Sequence, residues 1–405
     1  MSTDKRHPDS WPALTYEARP WVRSGDEVGS RRALTQSRGD YQAAVPGFIA
    51  DLPVALTAET IALADDASQE LARFDAEAGM IAAPFASILL RSESASSSEV
   101  ENLTSSAKQV ALAEIGESKS GNARLVVANV RAMTAAIALS DNLDENSILA
   151  MHDALLRDTL LTGTPPEYVG RWRDQQVWIG GGSISPHAAT FVPPHQNRVP
   201  TLMADVVAFA RRTDVPVLAQ AAIAHAQFET IHPFPDGNGR TGRALLQGML
   251  RHGRLTRNVT VPVSAGLLHD TDAYFSALTE YRAGRADAIV TTVAEASFAA
   301  VRNGRTLVDD IQAAARRWDS QVIARSDSSV HQVKKYLLRQ PVVNTKTVAV
   351  ELGISEVAAQ SAIDRLVDAE VLTKISAGQR NRIWQATEIL AALDAFGARA
   401  RRRRG

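Results

Sequence analysis

The sequence predicts a mostly α-helical protein that ends in a small module of helices and strands. The chain has 405 residues, of which 45% are hydrophobic and 22% charged, the composition of a soluble folded protein. Most of its apolar segments are rich in Ala and Leu at helical spacing, with few runs of β-branched residues. At roughly 150 residues per domain, a chain of this length predicts two to three domains.

Composition excludes several classes of protein. The chain contains no run of about eighteen apolar residues, which is the length that a transmembrane helix needs. The absence of cysteine excludes disulfide scaffolds, thiolate zinc sites and cysteine nucleophiles. Residues Met1–Pro20 carry mixed charges and lack the apolar core of a secretory signal. We therefore expect a cytoplasmic protein without a membrane-spanning segment.

The N-terminal part of the chain predicts a leader followed by helices. Residues 1–40 are polar and aperiodic, which is typical of a mobile leader. In the next region, residues 41–120, Thr57 can cap a helix. A second apolar helix, Ile81–Ser92, leads into the serine-rich segment Ser94–Ser98.

The central region, residues 121–325, predicts a helical domain interrupted once. The strand-like run Arg173–Gly182 ends in three glycines, and Phe191–Pro194 follows, so we expect a short β-hairpin that we call the flap. In the last helix of the region, one apolar stripe should pack onto the rest of the domain. The predicted helices are Leu125–Leu139, Glu145–Leu161, Val199–Arg211, Val217–Thr230, Arg243–His252, Tyr274–Arg282 and Thr306–Arg325.

The last module, residues 330–405, predicts a winged helix-turn-helix after a short linker, Ser326–Ser329. Three helical segments are followed by two short strands, which is the order of that fold. The helices are Val333–Arg339, Thr347–Leu352 and Glu356–Ala369, and the strands are Val371–Ile375 and Arg382–Gln385.

This module is basic, with 13 Lys or Arg against 7 Asp or Glu, whereas the rest of the chain carries 31 against 38. A basic module suggests a polyanionic partner such as DNA. Five of its thirteen basic residues lie in Arg399–Arg404, so a solvated tail that aids solubility is an equal alternative. The candidate DNA contacts are Gln360, Ser361 and Arg365 on the third helix, with Arg380 and Arg382 on the wing. Winged helices also serve in protein docking and dimerisation, so the sequence leaves DNA, protein docking and a homodimer open.

The segment that carries chemistry is HPFPDGNGRTGR, from His232 to Arg243. Its two prolines and its glycines at 237 and 239 exclude a helix, so it must form a loop before a helix restarts near Arg240. Gly237, Asn238 and Gly239 would then present backbone N–H groups at a helix N-terminus. Such a terminus is a binding site for phosphate.

The charged residues of this loop complete a nucleotide site. Arg240 and Arg243 can neutralise phosphate oxygens with paired N–H donors. Asp236 suits Mg²⁺, which binds through phosphates plus one or two carboxylates. His232 can accept a proton near neutral pH. The sequence therefore predicts attack of a hydroxyl group on a phosphate.

This loop resembles the signature of the Fic family, H-x-F-x-[DE]-G-N-G-R-x-x-R, at every fixed position. The resemblance covers about Tyr41–Arg325 and implies a Fic-type helical bundle with the flap beside the loop. It implies that His232 deprotonates a Ser, Thr or Tyr hydroxyl of a target protein. That oxygen attacks the α-phosphate of ATP, AMP is transferred and pyrophosphate leaves. The GNGR sequence, in place of ANKR, favours AMP transfer over phosphate transfer.

The resemblance also implies which residues bind ATP and Mg²⁺. Asp236 would hold Mg²⁺, and the Asn238 side chain would add a donor to the anion hole formed by Gly237–Gly239. Arg240 and Arg243 would bind the β- and γ-phosphates, with Thr241 and Gly242 in the same nucleotide site. Tyr274 and His269 would contact adenine.

A second resemblance implies inhibition. Ser97, Glu101 and Asn102 match the family's inhibitory pattern [ST]-x-x-x-E-[GN]. In this interpretation Glu101 enters the nucleotide site and pairs with Arg243, which then cannot hold the γ-phosphate. Two alternatives stay open: the segment is a simple helix cap, or the glutamate positions water for removing AMP from a modified target.

The partner and the class of function also have alternatives. The flap edge can pair with an extended segment of a target protein, including this chain itself, or it is a purely structural hairpin. A different class is a DNA-binding regulator whose helical body senses nucleotide; His232 favours the enzyme because a sensor needs no base. Transfer of another phosphate-bearing group is a third alternative. His187, His195 and His225 are expected to be packing or surface residues.

Overall fold

The computed structural model describes residues 11–22, 37–81, 85–181, 184–323, 325, 328–376 and 382–402. The protein is mostly helical, as predicted, and divides into two compact units. The first unit comprises Met1–Ser68, Ala135–Gly253 and Asp272–Ala294, and the second comprises Gln69–Thr134, Arg254–Thr271 and Glu295–Gly405.

In chain order the strands and helices are β1 (Thr15–Pro20), β2 (Asp40–Val45), α1 (Ala58–Met80), α2 (Phe85–Val100), α3 (Ala107–Glu114), α4 (Gly121–Ala138), α5 (Glu145–Leu156), α6 (Thr159–Thr162), α7 (Val199–Ala210), α8 (Val217–Ile231), α9 (Asn238–His252), α10 (Val263–His269), α11 (Thr271–Arg282), α12 (Ala286–Gln321), α13 (Ser329–Arg339), β3 (Val342–Asn344), α14 (Thr345–Leu352), α15 (Glu356–Asp368), β4 (Thr373–Lys374), β5 (Ile383–Gln385) and α16 (Thr387–Arg401). Short 3₁₀ turns lie at Ser140–Asn142, Pro166–Tyr168, Pro186–Ala188 and Gln196–Arg198.

The first unit is built around α8. Every residue of this helix from Leu218 to Ile231 is buried, which is the pattern of a helix at the centre of a domain. Helices α7 and α9 pack against α8, and α5 packs against α9. The predicted helices of the central region are present, except that Glu145–Leu161 is divided into α5 and α6. The predicted helix Thr306–Arg325 is part of α12, which begins earlier, at Ala286, and ends at Gln321.

The N-terminal leader prediction does not hold for residues 15–20, which form β1. This strand pairs antiparallel with β2 in the register Thr15↔Val45 to Pro20↔Asp40. Nearby, Trp11 packs against Phe209 and Tyr281. The six residues of β1 are too polar and too few to indicate a strand by themselves, so the pairing depends on tertiary contacts.

The predicted flap contains one antiparallel bridge, between Ile179 and Phe191. The next residue, Val192, accepts a hydrogen bond from the N–H of Ala44 in β2, at 3.0 Å. Successive residues of a strand point their N–H and C=O groups to opposite sides. The 191–192 segment therefore lies between β2 and the segment around Ile179, and the outer edge of this small sheet belongs to the latter.

In the second unit, α2 differs from its prediction. The helix runs from Phe85 to Val100 and so includes the serine-rich segment that was expected to follow it. The Ser94 and Ser98 hydroxyls donate to carbonyls one turn earlier, Leu90 and Ser94. Asn129 donates its side-chain amide to the Ser94 carbonyl at 2.9 Å. These bonds satisfy polar groups that would otherwise oppose a buried serine-rich helix.

The C-terminal elements are compatible with the predicted winged helix-turn-helix. Strands β3, β5 and β4 form an antiparallel sheet in that order, and α13, α14 and α15 pack together. Gly353 ends α14 in a left-handed conformation (φ 63°), and the Ser355 hydroxyl caps α15. Strand β3 and helix α16 were not predicted, and Arg380 lies outside the described residues.

The C-terminal elements pack on the N-terminal helices of the same unit. Helix α16 contacts α2 and α3, and β3 contacts α3. An apolar cluster joins them, formed by Ala111, Leu112, Val342 and Leu390. Among the described residues, no helix combines the length and the apolar character that a bilayer span requires.

Candidate active site

The bend between α8 and α9 is the candidate active site. His232 ends α8 in the left-handed conformation (φ 51°, ψ 62°), and its N–H donates to the Phe228 carbonyl at 2.9 Å. A left-handed residue other than glycine costs on the order of 1–3 kcal/mol, so it persists only where its surroundings hold it. The surroundings of this bend supply three such restraints.

The first restraint is Arg173, a buried side chain that is 2% exposed. Its guanidinium donates to the His232 carbonyl at 2.8 Å and to the Pro194 carbonyl at 2.5 Å. Its backbone N–H donates to the Pro233 carbonyl at 2.9 Å. Burial lowers the pKa of Arg173 to about 10, which still leaves the group charged at neutral pH. A cation that binds the last carbonyls of α8 also stabilises the helix electrostatically.

The second restraint is His152 on α5, which is fully buried. Its ring stacks on Phe234 with centroids 3.7 Å apart. The Gly170 N–H donates to Nδ1 at 3.0 Å, so the ring proton is on Nε2, which lies 3.1 Å from the Asp236 carbonyl. Burial lowers the pKa of His152 to about 4, and the ring is neutral when it donates to the loop.

The third restraint is Asn238, the first residue of α9. Its side-chain oxygen accepts the Phe234 N–H at 2.9 Å, and its amide donates to the Phe234 carbonyl at 2.8 Å. The side chain is therefore used within the loop, which differs from its predicted contribution to the anion hole. The backbone N–H is the part of this residue that can serve there.

The N-terminus of α9 has the geometry predicted for an anion cradle. Gly237 caps the helix with φ 79°, and a Cβ at that position would lie 3.0 Å from Leu155. An α-helix leaves the N–H groups of its first turn without intrahelical partners. In α9 that turn begins with Asn238 and Gly239. Positive dipole and N–H donors together favour a phosphate at this position.

The charged residues of the loop surround this terminus. Arg240 and Arg243 are both buried, the latter being 1% exposed. The Asp236 side chain is 57% exposed, and its carboxylate lies 3.6 Å from the Arg240 guanidinium. Among the described residues, no group of three or more acidic or histidine side chains converges as a metal site. A cation held by Asp236 would therefore need phosphate oxygens as its other ligands.

Two of the predicted nucleotide-binding residues face the protein interior. Thr241 is fully buried. A Cβ on Gly242 would lie 2.9 Å from both Glu229 Oε1 and Phe228 Cδ1. Gly242 thus allows α9 to approach α8 closely, and the assignment of Thr241 and Gly242 to the nucleotide site stays a prediction.

Tyr274 and His225 form a buried pair. Tyr274 is 1% exposed, and its hydroxyl lies 2.7 Å from His225 Nε2. Packing is thus the role of His225, as predicted. The adenine contact of Tyr274 stays a prediction, since its ring is covered in this structure.

In the second unit, the inhibitory pattern lies at the end of α2. Ser97 is buried within the helix, and Glu101 follows the helix and is exposed. Asn102 is left-handed (φ 61°), and the Leu103 N–H donates to the Ser98 carbonyl at 3.0 Å. This helix ending explains why the pattern requires Gly or Asn after the glutamate.

His269, the other predicted adenine contact, also belongs to the second unit. It ends α10 and lines a cavity together with Arg302, Asn303 and Arg399. The structure therefore places His269 and Tyr274 in different units.

Sequence reasoning missed Arg173, His152 and Glu229 as parts of the site. Arg173 was assigned only to the start of the flap, and the other two lie in apolar helices. The available signal was that His152 and Glu229 are polar residues within apolar helices. That signal does not indicate which loop such a residue contacts.

Comparison with known proteins supports the resemblance of the loop. Residues 142–250 match the model of the Fic/DOC family, and residues 61–138 match the model of the Fic/DOC family N-terminal region. Two successive segments of the chain are therefore similar to the Fic domain and to the N-terminal region of that family.

Two curated relatives carry names that state an activity. A probable protein adenylyltransferase of Aquifex aeolicus is 39% identical over 101 residues, which are 24% of this chain and 28% of the relative. Protein adenylyltransferase fic-1 of Caenorhabditis elegans is 32% identical over 117 residues, 28% of this chain and 20% of the relative. The chain thus matches less than a third of the length of either relative.

One solved structure shares the fold. The crystal structure of a Fic family protein from Desulfovibrio desulfuricans superposes with a TM-score of 0.52 at 21% identity. The match covers 82% of this chain and 97% of that protein. This likeness confirms the predicted Fic-type helical fold.

The neutral state of His152 predicts a pH dependence of stability. Because its folded pKa, about 4, lies below the usual 6.5, the unfolded chain binds the proton more readily. The stability it contributes is full above pH 6.5 and is lost as the pH falls towards 4. We expect the unfolding free energy of the wild type to fall by about 2 kcal/mol more than that of His152→Gln between pH 7 and pH 5. Urea unfolding of both proteins measures this, and equal pH dependence would contradict it.

Proposed function

We propose that this chain is a protein adenylyltransferase, which transfers AMP from ATP to a Ser, Thr or Tyr hydroxyl of a target protein. The observation that carries the proposal is the bend itself. It joins an imidazole at the end of α8 to the N-terminus of α9, and buried hydrogen bonds fix both. The match to the Fic domain and the names of two relatives support AMP transfer at the level of the family.

The proposed reaction assigns a proton transfer to His232. Its imidazole accepts the hydroxyl proton while the hydroxyl oxygen attacks the α-phosphorus of ATP. A new O–P bond forms, and the bond between the α-phosphorus and the bridging oxygen breaks. Pyrophosphate leaves with that electron pair, and the target carries AMP in phosphodiester linkage.

The N-terminus of α9 would hold the β- and γ-phosphates. The N–H groups of Gly239 and its neighbours, with Arg240 and Arg243, would stabilise the charge that develops on the departing pyrophosphate. Asp236, which is exposed beside this terminus, would hold Mg²⁺ against the phosphates. When bound, Mg²⁺ would neutralise phosphate charge.

The target protein would dock on the flap. The 191–192 segment is already paired on the side of β2, so the outer edge available to a target strand is the segment around Ile179. Trp178 of this segment packs edge-on against Trp21, with ring centroids 5.5 Å apart, and so fixes the flap against the residues that follow β1. Main-chain pairing along this edge would place a target hydroxyl without requiring a particular sequence.

Glu101 would act as an inhibitor of this reaction. Its position directly after α2, followed by the left-handed Asn102, puts a carboxylate at a fixed helix end. A carboxylate that pairs with Arg243 would turn the γ-phosphate away, and a displacement of about 1 Å can lower the rate a hundredfold. Positioning water for the removal of AMP is the other role that such a carboxylate could serve.

The C-terminal module favours a protein partner over DNA. The exposed charged residues of α15 are three acidic side chains, Glu356, Asp364 and Asp368, and one basic side chain, Arg365. Arg365 on the same helix donates to the Ile323 carbonyl at 2.9 Å, and Gln360 donates to Asp364 at 2.7 Å. An acidic face would be repelled by phosphates, so we do not propose that this helix reads DNA.

The first prediction of this function concerns self-modification. We expect Glu101→Gly to incorporate label from [α-³²P]ATP at least tenfold faster than the wild type, because Arg243 becomes available to the γ-phosphate. [γ-³²P]ATP should leave no label, since pyrophosphate departs. The double variant Glu101→Gly/His232→Ala should stay unlabelled.

Three results would overturn parts of this account. Incorporation of label from [γ-³²P]ATP would show that the protein transfers phosphate and not AMP. Equal labelling with and without His232 would show that His232 is not the general base. Equal rates of self-labelling in the wild type and in Glu101→Gly would rule out Glu101 as an inhibitor but would not contradict the transferase activity. Incubating the active variant with a cell lysate, followed by mass spectrometry of labelled bands, identifies the target.

A further inference from the structure

We propose that Glu229 is a positioning residue for His232, which holds the imidazole in the orientation and tautomer that proton transfer requires. The inference rests on the proposed function. Glu229 Oε2 lies 4.0 Å from His232 Nδ1. The two residues are three apart at the end of α8 and so share one face of the helix.

The site of this carboxylate is built by three helices. Glu229 is only 7% exposed. From α9, Gly242 leaves room for it, because any Cβ there would lie 2.9 Å from Glu229 Oε1 and 3.2 Å from His225 Nδ1. From α11, Arg282 donates to the Glu229 carbonyl at 3.5 Å, and the carboxylate raises the pKa of Arg282 against the larger lowering by burial.

The other charged groups near His232 bind its backbone or the phosphate side. Arg173 donates to the His232 carbonyl, and Arg240 lies beside Asp236. Glu229 is the carboxylate that approaches the imidazole among the ion pairs of the described residues.

A carboxylate beside Nδ1 affects catalysis in two ways. It favours the tautomer with the proton on Nδ1, so Nε2 keeps the lone pair that accepts the hydroxyl proton. It also stabilises the imidazolium that this transfer creates. Both effects favour transfer of the hydroxyl proton to Nε2, whereas neither is needed to bind ATP.

The test compares Glu229→Gln with its parent, the Glu101→Gly protein, from pH 5.5 to 8.5. We expect kcat to fall about 10- to 100-fold, the size of effect seen for side chains that orient metal-bound histidines, while KM for ATP changes less than twofold. The acidic limb of the pH profile, the range in which kcat falls as His232 becomes protonated, should move to lower pH. Glu229→Asp keeps the charge and should restore that limb in part.

A structural control separates orientation from general damage. Asp205 accepts hydrogen bonds from the N–H groups of Ile49 and Ala50 in the same unit, so Asp205→Asn should lower stability without moving the limb. An unchanged limb and kcat in Glu229→Gln would overturn the proposal.

A second readout works without catalysis. In ¹⁵N-histidine spectra, Glu229→Gln should shift His232 towards the Nε2-protonated tautomer and lower its titration midpoint. Unchanged His232 signals would refute the positioning role even in an inactive protein. If the parent shows no His232-dependent labelling while these signals shift, the transferase proposal fails and the Glu229 contact stands.

A different observation, in the second unit, leads to a second inference: the C-terminal module holds α2, the helix that ends directly before the glutamate proposed to be inhibitory. This inference also rests on the proposed function. Arg401 at the end of α16 donates to Glu99 in the last turn of α2, at 2.5 Å, two residues before Glu101. A protein that binds the module and moves α16 would therefore loosen the end of α2.

Other contacts fix the same helices to the module. Gln340 accepts a hydrogen bond from Arg91 of α2 at 3.2 Å and donates to the Ala111 carbonyl of α3 at 2.8 Å. Asp394 of α16 accepts the Ala107 N–H at 2.9 Å, at the start of α3. The segment 101–106, with Glu101 at its beginning, thus lies between two helices that the module binds.

Charge reversal tests this connection. Arg401→Glu places a like charge beside Glu99, so we expect self-AMPylation to rise about three- to tenfold over the wild type. Adding Glu99→Arg restores the ion pair and should restore inhibition. In the Glu101→Gly background, Arg401→Glu should add less than twofold.

The matched control is Arg317→Glu, which breaks the ion pair of α16 with α12 through Glu388 and leaves α2 untouched. It should stay at the wild-type rate. The inference would be overturned if the Glu101→Gly protein is active while the single variant Arg401→Glu modifies itself only at the wild-type rate. An inactive Glu101→Gly would instead overturn the proposed function.

Discussion

The bend between α8 and α9 depends on one constraint: its backbone groups must be bound inside the protein. His232 and Gly237, at its two ends, are left-handed. Arg173, His152 and Asn238 bind the carbonyls and N–H groups between them. An imidazole and a helix N-terminus thereby hold a fixed relation without a ligand, which is the preorganisation that phosphoryl chemistry needs.

Small residues allow close packing beneath the bend and in α2. Because residue 242 is a glycine, α9 approaches α8 closely enough to leave a buried carboxylate beside the imidazole. In the second unit, serines bonded to their own helix carbonyls allow α2 to remain helical as far as Val100, directly before Glu101. Small residues thus determine where the side chains of the proposed base and the proposed inhibitor lie.

The sequence predicted the helices and the loop well because both have local signals. Ala-rich helical spacing located α8, and the prolines and glycines after His232 required a bend. It failed where the cause is tertiary: β1 forms only against β2, and Arg173 and His152 act on a loop distant in sequence. Asn238 shows a third limit, since its type suggested a ligand contact and its side chain instead closes the loop.

The central claim is that this bend binds a triphosphate with His232 beside the phosphorus that is attacked. A crystal structure of the Glu101→Gly protein with Mg²⁺ and a non-hydrolysable ATP analogue measures it most directly. We predict the β- and γ-phosphates on the first N–H groups of α9, and His232 Nε2 directed towards the space in line with the α-phosphorus. Phosphates bound elsewhere, or an imidazole directed into the packed interior, would contradict the claim.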